Sequence, residues 1–166
     1  MPVPAPVLYP PFNIVRLSHV EFVVRDLAKS RAFYVDTLGM QVTYEDDKFI
    51  YMRAMEERGH HCMALKKGDE PTANVLGFKV FSEEDLDKAE AFFKEKGLPT
   101  AWVERPHQGR TLRTQDLYGI PLEFYHKMDR LPVITQKYAL YKGVRPLRID
   151  HFNMFTVNVD KSVAFY

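Results

Sequence analysis

Residues 19–39 read HVEFVVRDLAKSRAFYVDTLG, a strand pattern that runs into a helix pattern within one short span. From His19 to Arg25 side chains alternate faces. Val20, Phe22 and Val24 fall on one side, and His19, Glu21 and Val23 on the other. Asp26 suits the N-cap of a helix over 27–38, where Leu27, Ala28, Phe33, Tyr34 and Leu38 gather near one stripe. Gly39 ends it, because glycine enters the left-handed conformation that closes many helices.

Outward from that span, three strand-like runs follow: MQVTYED (40–46), KFIYMRAM (48–55) and HHCMALKK (60–67). The order then restarts. NVLGFKVF (74–81) is a strand, and Ser82 caps a helix with Asp85 completing a capping box. Gly97 ends that helix. TAWVER (100–105), GRTLRTQD (109–116) and IPLEFYHK (120–127) give three further strands. Gly39 and Gly97 stand 58 residues apart, and the same offset pairs Val20 with Phe78 and Tyr34 with Phe92. The fold class expected is α+β, built from two tandem βαβββ modules over 14–70 and 71–127.

Before them, 1–13 holds five prolines and reads as an extended arm, since proline removes backbone donors and resists helix. After them, 128–147 reads as a linker packed on the domain surface. Residues 148–166, RIDHFNMFTVNVDKSVAFY, echo RLSHVEFVVRDLAKSRAFY (16–34), sharing Arg, His, Lys, Ser, Ala, Phe and Tyr without a gap. They are expected to start a third unit with one strand and about two helical turns. On that strand His151 and Asn153 share a face. Two readings stand from the pattern alone: a half-buried pair satisfied by local hydrogen bonds, or a metal ligand beside a ligand-binding amide.

HVEFVVRDLAKSRAFYVDTLG, DLYGIPLEFY (116–125), TQKYALY (135–141) and LRIDHFN (147–153), in that order and spacing, resemble the extradiol ring-cleaving dioxygenases of the vicinal oxygen chelate superfamily. The resemblance covers the chain from Ile14 to Tyr166 and implies the glyoxalase–bleomycin resistance–dihydroxybiphenyl dioxygenase fold. It further implies a two-domain enzyme that opens a catechol ring with O2. Its first domain is silent, and its second holds Fe(II), or Mn(II) in close relatives, on two histidines and a glutamate. By this resemblance His151 is the first metal ligand, and Asn153 stands on the substrate and oxygen side. The other two ligands match nothing in these residues. The expectation is a chain comprising the silent domain and the start of a truncated catalytic one, inactive alone and holding no metal tightly. Subunits are expected to associate, as a tetramer.

The first domain has its own partial echo of the triad. His19 matches His151, Glu123 stands at the glutamate position, and Gly77 falls where a middle ligand would be. Glycine offers no donor, so His19 and Glu123 read as a hydrogen-bonded or ion pair in the concavity. His60 and His61, on the strand-like run 60–67, face opposite sides, one at the surface and one inward, each separately satisfied, and cannot share a metal without a bulge. His107 and His126 carry no assigned role. Cys62 reads as a small buried residue, and the aromatic residues as core.

Composition narrows the alternatives. Lys and Arg total 23 against 22 Asp and Glu, which gives nucleic acid no support. No stretch reads as a signal peptide or membrane span, and one cysteine excludes an internal disulfide, so cytoplasm is the expected compartment. Two rivals remain: a stand-alone, metal-free small-molecule binding protein of the same superfamily, and a glyoxalase-type metalloenzyme using His19 and Glu123. The linker and third-unit start disfavour the first, and Gly77 disfavours the second.

Overall fold

The computed structural model describes residue 5 and residues 7–166, so residues 1–4 and 6 of the expected arm lie outside the described residues. The first unit contains β1 (Ile14–Val24), α1 (Leu27–Arg31), β2 (Gln41–Glu45), β3 (Phe49–Arg53) and β4 (Met63–Lys67). The second contains β5 (Thr72–Val80), α2 (Glu83–Glu95), β6 (Ala101–Arg105), β7 (Gln108–Gln115) and β8 (Pro121–Tyr125). The eight strands form one mixed sheet in the order β2-β3-β4-β1-β5-β8-β7-β6. Each unit closes by a parallel pair, β1 with β4 and β5 with β8, and the units join through the antiparallel pair β1–β5. This is the α+β architecture of two βαβββ units.

The repeat is visible in the register. Across the β1–β5 seam His19 pairs with Gly77, the two residues related by the 58-residue offset. The local pseudo-twofold axis therefore passes through that pair.

The capping chemistry forms as its residue types dictate. Asp26 accepts from the Lys29 backbone N–H, and Ser82 and Asp85 complete their reciprocal box at α2. Asp85 also accepts from the backbone and side chain of Asn13, which fastens the arm beside Phe12. Helix and sheet enclose two apolar clusters. One centres on Phe12, Leu86, Phe93, Leu112 and Phe124, and the other on Val35, Ile50, Met52, Cys62 and Leu65. Each large side chain so buried contributes about 2 kcal/mol.

The first helix departs from its expected form. After α1 the chain winds as a π-helix over Ala32–Thr37, with the Leu38 N–H bonded to the Phe33 carbonyl at 3.0 Å. The wider turn rotates the later side chains. Val35 enters the core at 6% exposure, while Phe33, placed on the apolar stripe by the 3.6-residue period, stays 51% exposed.

The segment 128–147 returns along the first unit. Backbone bonds run from Leu131 to Arg58, from Val144 and Arg145 to Thr37 and Leu38, and from Met55 and Glu56 to Pro146 and Leu147. At the crossing, Gly39 has φ +83°, and a Cβ there would overlap the Lys142 carbonyl. The third-unit strand does not form over 148–155, because no neighbouring strand among the described residues offers that segment a ladder. Its helix does form, as α3 (Val159–Phe165), capped by Asn158. The segment is pinned on the second unit by Phe152 against Phe78, by Phe165 against Phe92 and Phe93, and by the Tyr166 hydroxyl donating to Asp116 at 3.2 Å.

Gly39→Ala is expected to lower stability by about 1–3 kcal/mol, through the left-handed backbone and the lost crossing. Urea unfolding reads this directly; an unchanged midpoint would mean that the linker does not cross there.

Candidate functional site

Strand alternation sends Val20, Phe22, Leu122 and Phe124 toward the helices and His19, Glu21 and Glu123 toward the opposite, concave face. Arg105, on edge strand β6, donates from Nη1 to Glu21 Oε2 on β1 at 3.0 Å. Three strands lie between these two in the sheet order. At about 4.8 Å per strand a flat sheet would hold them far apart, so the sheet must curl until its wings meet.

Glu123 sits at the centre, fully buried. Its Oε1 accepts from Gln108 Nε2 at 2.9 Å and lies 3.2 Å from His19 Nε2. Its Oε2 accepts from Arg105 Nε at 2.9 Å, with Arg113 Nε at 3.5 Å. Burial pushes the carboxyl up, but His19, Arg105 and Gln108 outweigh it and hold the group at about 2. An ionised carboxylate can only accept, so His19 Nε2 carries the proton of that bond. Burial lowers the Arg105 guanidinium, and the two carboxylates more than reverse this. Asn74 Nδ2 donates to the remaining Glu21 oxygen.

Gly77 has a definite role beside this network. A Cβ at that position would overlap the His19 imidazole, so glycine is what lets the ring lie flat across the seam. The void left among His19, Tyr51, His61, Arg105 and Glu123 is about 10 Å³, room for one water at most. The chemistry of the hollow does not suit a divalent metal. Both carboxylates are engaged by a guanidinium, and a metal would sit against that positive charge. His19 Nδ1 is the one ring nitrogen here left buried without a partner. The expected His19–Glu123 pair is present, whereas Arg105 and Gln108 were not foreseen. An arginine at a strand end reads as solvated, and only the curl turns it inward.

A second correction concerns His60 and His61. They lie in a bend before β4, not on the strand, and both are buried. Their Nδ1 atoms stand 3.2 Å apart, one donating to the other. His60 also stacks on His107 with centroids 3.7 Å apart. Burial, then the neighbouring His107, lowers His60 to about 4, and burial holds His61 well below its ordinary value. Cys62 is fully buried as expected, and burial raises its thiol to about 12.

His151 and Asn153 are both exposed on the extended segment before α3. His151 Nδ1 is 3.6 Å from Asp150 Oδ2. The structure brings no further donor to it: among the described residues no group of three His, Cys, Asp or Glu is placed to hold a metal ion. The donor set here does not make a complete Fe(II) or Mn(II) centre.

A family model described as "Glyoxalase/Bleomycin resistance protein/Dioxygenase superfamily" matches residues 16–124. The homoprotocatechuate 2,3-dioxygenase of Brevibacterium fuscum, solved with 3,4-dihydroxyphenylacetate, is 38% identical with a TM-score of 0.91 over 96% of this chain and 51% of that one. The Arthrobacter globiformis enzyme of the same name is 39% identical with a TM-score of 0.89, over 92% of this chain and 48% of that one. A manganese-dependent 2,3-dihydroxybiphenyl 1,2-dioxygenase of Geobacillus genomosp. 3 is 26% identical over 88% of this chain and 50% of its own length. The chain thus spans about half the length of the proteins it matches.

Arg105→Met is expected to cost about 3–5 kcal/mol, because it leaves the Glu21 and Glu123 carboxylates buried without their cation. Urea unfolding at neutral pH is the measurement, and a loss below about 1 kcal/mol would show the network to be solvated.

Proposed function

The chain belongs to the Glyoxalase/Bleomycin resistance protein/Dioxygenase superfamily, and from this we propose that it forms the amino-terminal part of an extradiol dioxygenase. The carrying observation is the likeness to homoprotocatechuate 2,3-dioxygenase, sustained over nearly the whole chain at 38% identity. The proposed activity is O2-dependent opening of 3,4-dihydroxyphenylacetate or a related catechol beside its diol. The two βαβββ modules over 14–70 and 71–127 serve as scaffold, following the proline-rich arm over 1–13, with the linker over 128–147 packed on their surface. Residues 148–166 begin the metal-holding domain.

In this reading His151 is one of three ligands to Fe(II), with Mn(II) the alternative, and Asn153 faces substrate and oxygen. The remaining donors belong to the half of the relatives that this chain does not match. Exposure of both residues supports the reading, since a ligand buried in this domain would have no route to a second one. The segment's docking on the second unit, through Phe152 and Phe165, fixes where His151 emerges. No helix among the described residues is long and apolar enough to cross a membrane. A cytoplasmic homo-oligomer, a tetramer, completes the proposal.

Two assays test it. The protein as its cells make it, supplied with Fe(II) or Mn(II), is expected to consume one O2 per 3,4-dihydroxyphenylacetate opened, with a semialdehyde as product. His151→Ala should lose bound metal and activity together. Asn153→Ala should keep the metal and lose about 10–100-fold in kcat/KM. The 166-residue chain alone should bind neither ion stoichiometrically in a calorimeter. Tight binding abolished by Glu123→Ala would overturn the scaffold assignment in favour of a glyoxalase-type site.

A further inference from the structure

On the same face of the sheet as Glu123, beyond the His19 ring, lies a cleft of about 310 Å³ that the proposed reaction does not use. Its walls are the bend at 57–61 and the segment at 126–130, tied together by the Gly59–Arg130 bridge and by the Leu131 N–H bonded to the Arg58 carbonyl at 2.9 Å. Arg58, Lys79, Lys127 and Arg130 all line it. Among the described residues none of these four has a carboxylate within 4.0 Å. The single acidic residue in the lining, Glu57, is already held by Arg16 Nη2 at 2.6 and 2.7 Å. Nearby Asp129 is turned to His107 at 3.0 Å.

Four cations without an ion-pair partner lining one concavity repel one another, an arrangement that a bound anion relieves. The floor adds a hydrogen-bond donor suited to the same ligand. Ser18 and Tyr125 are both more than nine-tenths buried, and their hydroxyls hydrogen-bond each other. Two hydroxyls bring two protons, and a single bond between them uses one. Neither hydroxyl makes a second hydrogen bond among the described residues, so one O–H is left to donate at the base of a cationic cleft. Surface lysines and arginines alone would need no such floor.

We propose that this cleft binds a small organic or inorganic dianion, a phosphate or a dicarboxylate. Arg58, Lys79, Lys127 and Arg130 supply its charge complement, and the Ser18–Tyr125 pair donates at its floor. Planar guanidinium groups suit both oxyanions, and the cleft's volume admits a ligand larger than phosphate. This site stands apart from the dioxygenase proposal and does not depend on any metal.

Calorimetric titration of the 166-residue chain at low salt tests it, with inorganic phosphate and succinate as dianions and acetate as the monoanion. One site per chain is expected, with both dianions bound at least about tenfold more tightly than acetate. Lys79→Ala and Arg130→Ala should each weaken phosphate by about tenfold, and Tyr125→Phe by a smaller factor. Lys161→Ala, on α3, should change nothing. Equal, weak heats for all three anions, or affinities untouched by the cleft variants, would overturn the proposal. So would concentration-dependent self-association abolished by those variants, since the cleft would then be receiving an acidic segment of a second copy.

Discussion

A carboxylate with no exposure to solvent must have its charge answered within the protein, or the fold pays a desolvation cost of several kcal/mol. Glu123 is such a group, and the concave face of the sheet is organised around answering it. His19 comes from β1, Gln108 from β7 and Arg105 from β6, so one side chain gathers three strands that are not all neighbours. Arg105 then reaches Glu21, which ties the far edge of the second unit back to the centre of the seam. Curvature of the sheet and satisfaction of the charge are one requirement.

The same arrangement explains why this domain is read as scaffold. Two carboxylates and a histidine converge in a hollow, a set that elsewhere would hold a divalent ion. Here the cation is a guanidinium carried by the chain itself, and the position related to His19 by the repeat is Gly77. That glycine supplies no ligand, yet its missing Cβ is what admits the His19 ring. The repeat sets two equivalent positions facing each other across an antiparallel pair, where only one of them can bear a large side chain. Outside this packed hollow, the cationic cleft and the exposed His151 segment remain as surfaces open to ligands or to another domain.

Much of this was legible before any coordinates. The two helix-ending glycines and the Asp26 and Ser82 caps are local signals that follow from short-range sterics and hydrogen bonding, and their recurrence at a 58-residue offset shows the repeat. The His19–Glu123 pair was legible through the resemblance, from the positions that match the family's metal triad. Arg105 was not, because its inward direction depends on curl that no single strand encodes. The π-helical turn at Ala32–Thr37 likewise defeated a 3.6-residue stripe, misplacing Phe33 and hiding Val35. Strand alternation puts His60 and His61 on opposite faces, whereas the bend before β4 brings their rings together. Residues 148–155 have strand composition but no ladder here, and pairing is a property of neighbours, not of the segment.

The central claim is that Glu123 is an ionised carboxylate locked by Arg105 and His19. Its pKa of about 2, against an ordinary 4.5, means that its ionisation stabilises the fold fully above pH 4.5. That contribution drains away as the pH falls through the lower value. Titration of the Glu123 side-chain carboxyl carbon by NMR tests this most directly. A resonance that stays in its ionised position through pH 4.5 and moves only near pH 2, or as the chain unfolds in acid, is the predicted result. A midpoint at or above 4.5 in the folded protein would contradict the account.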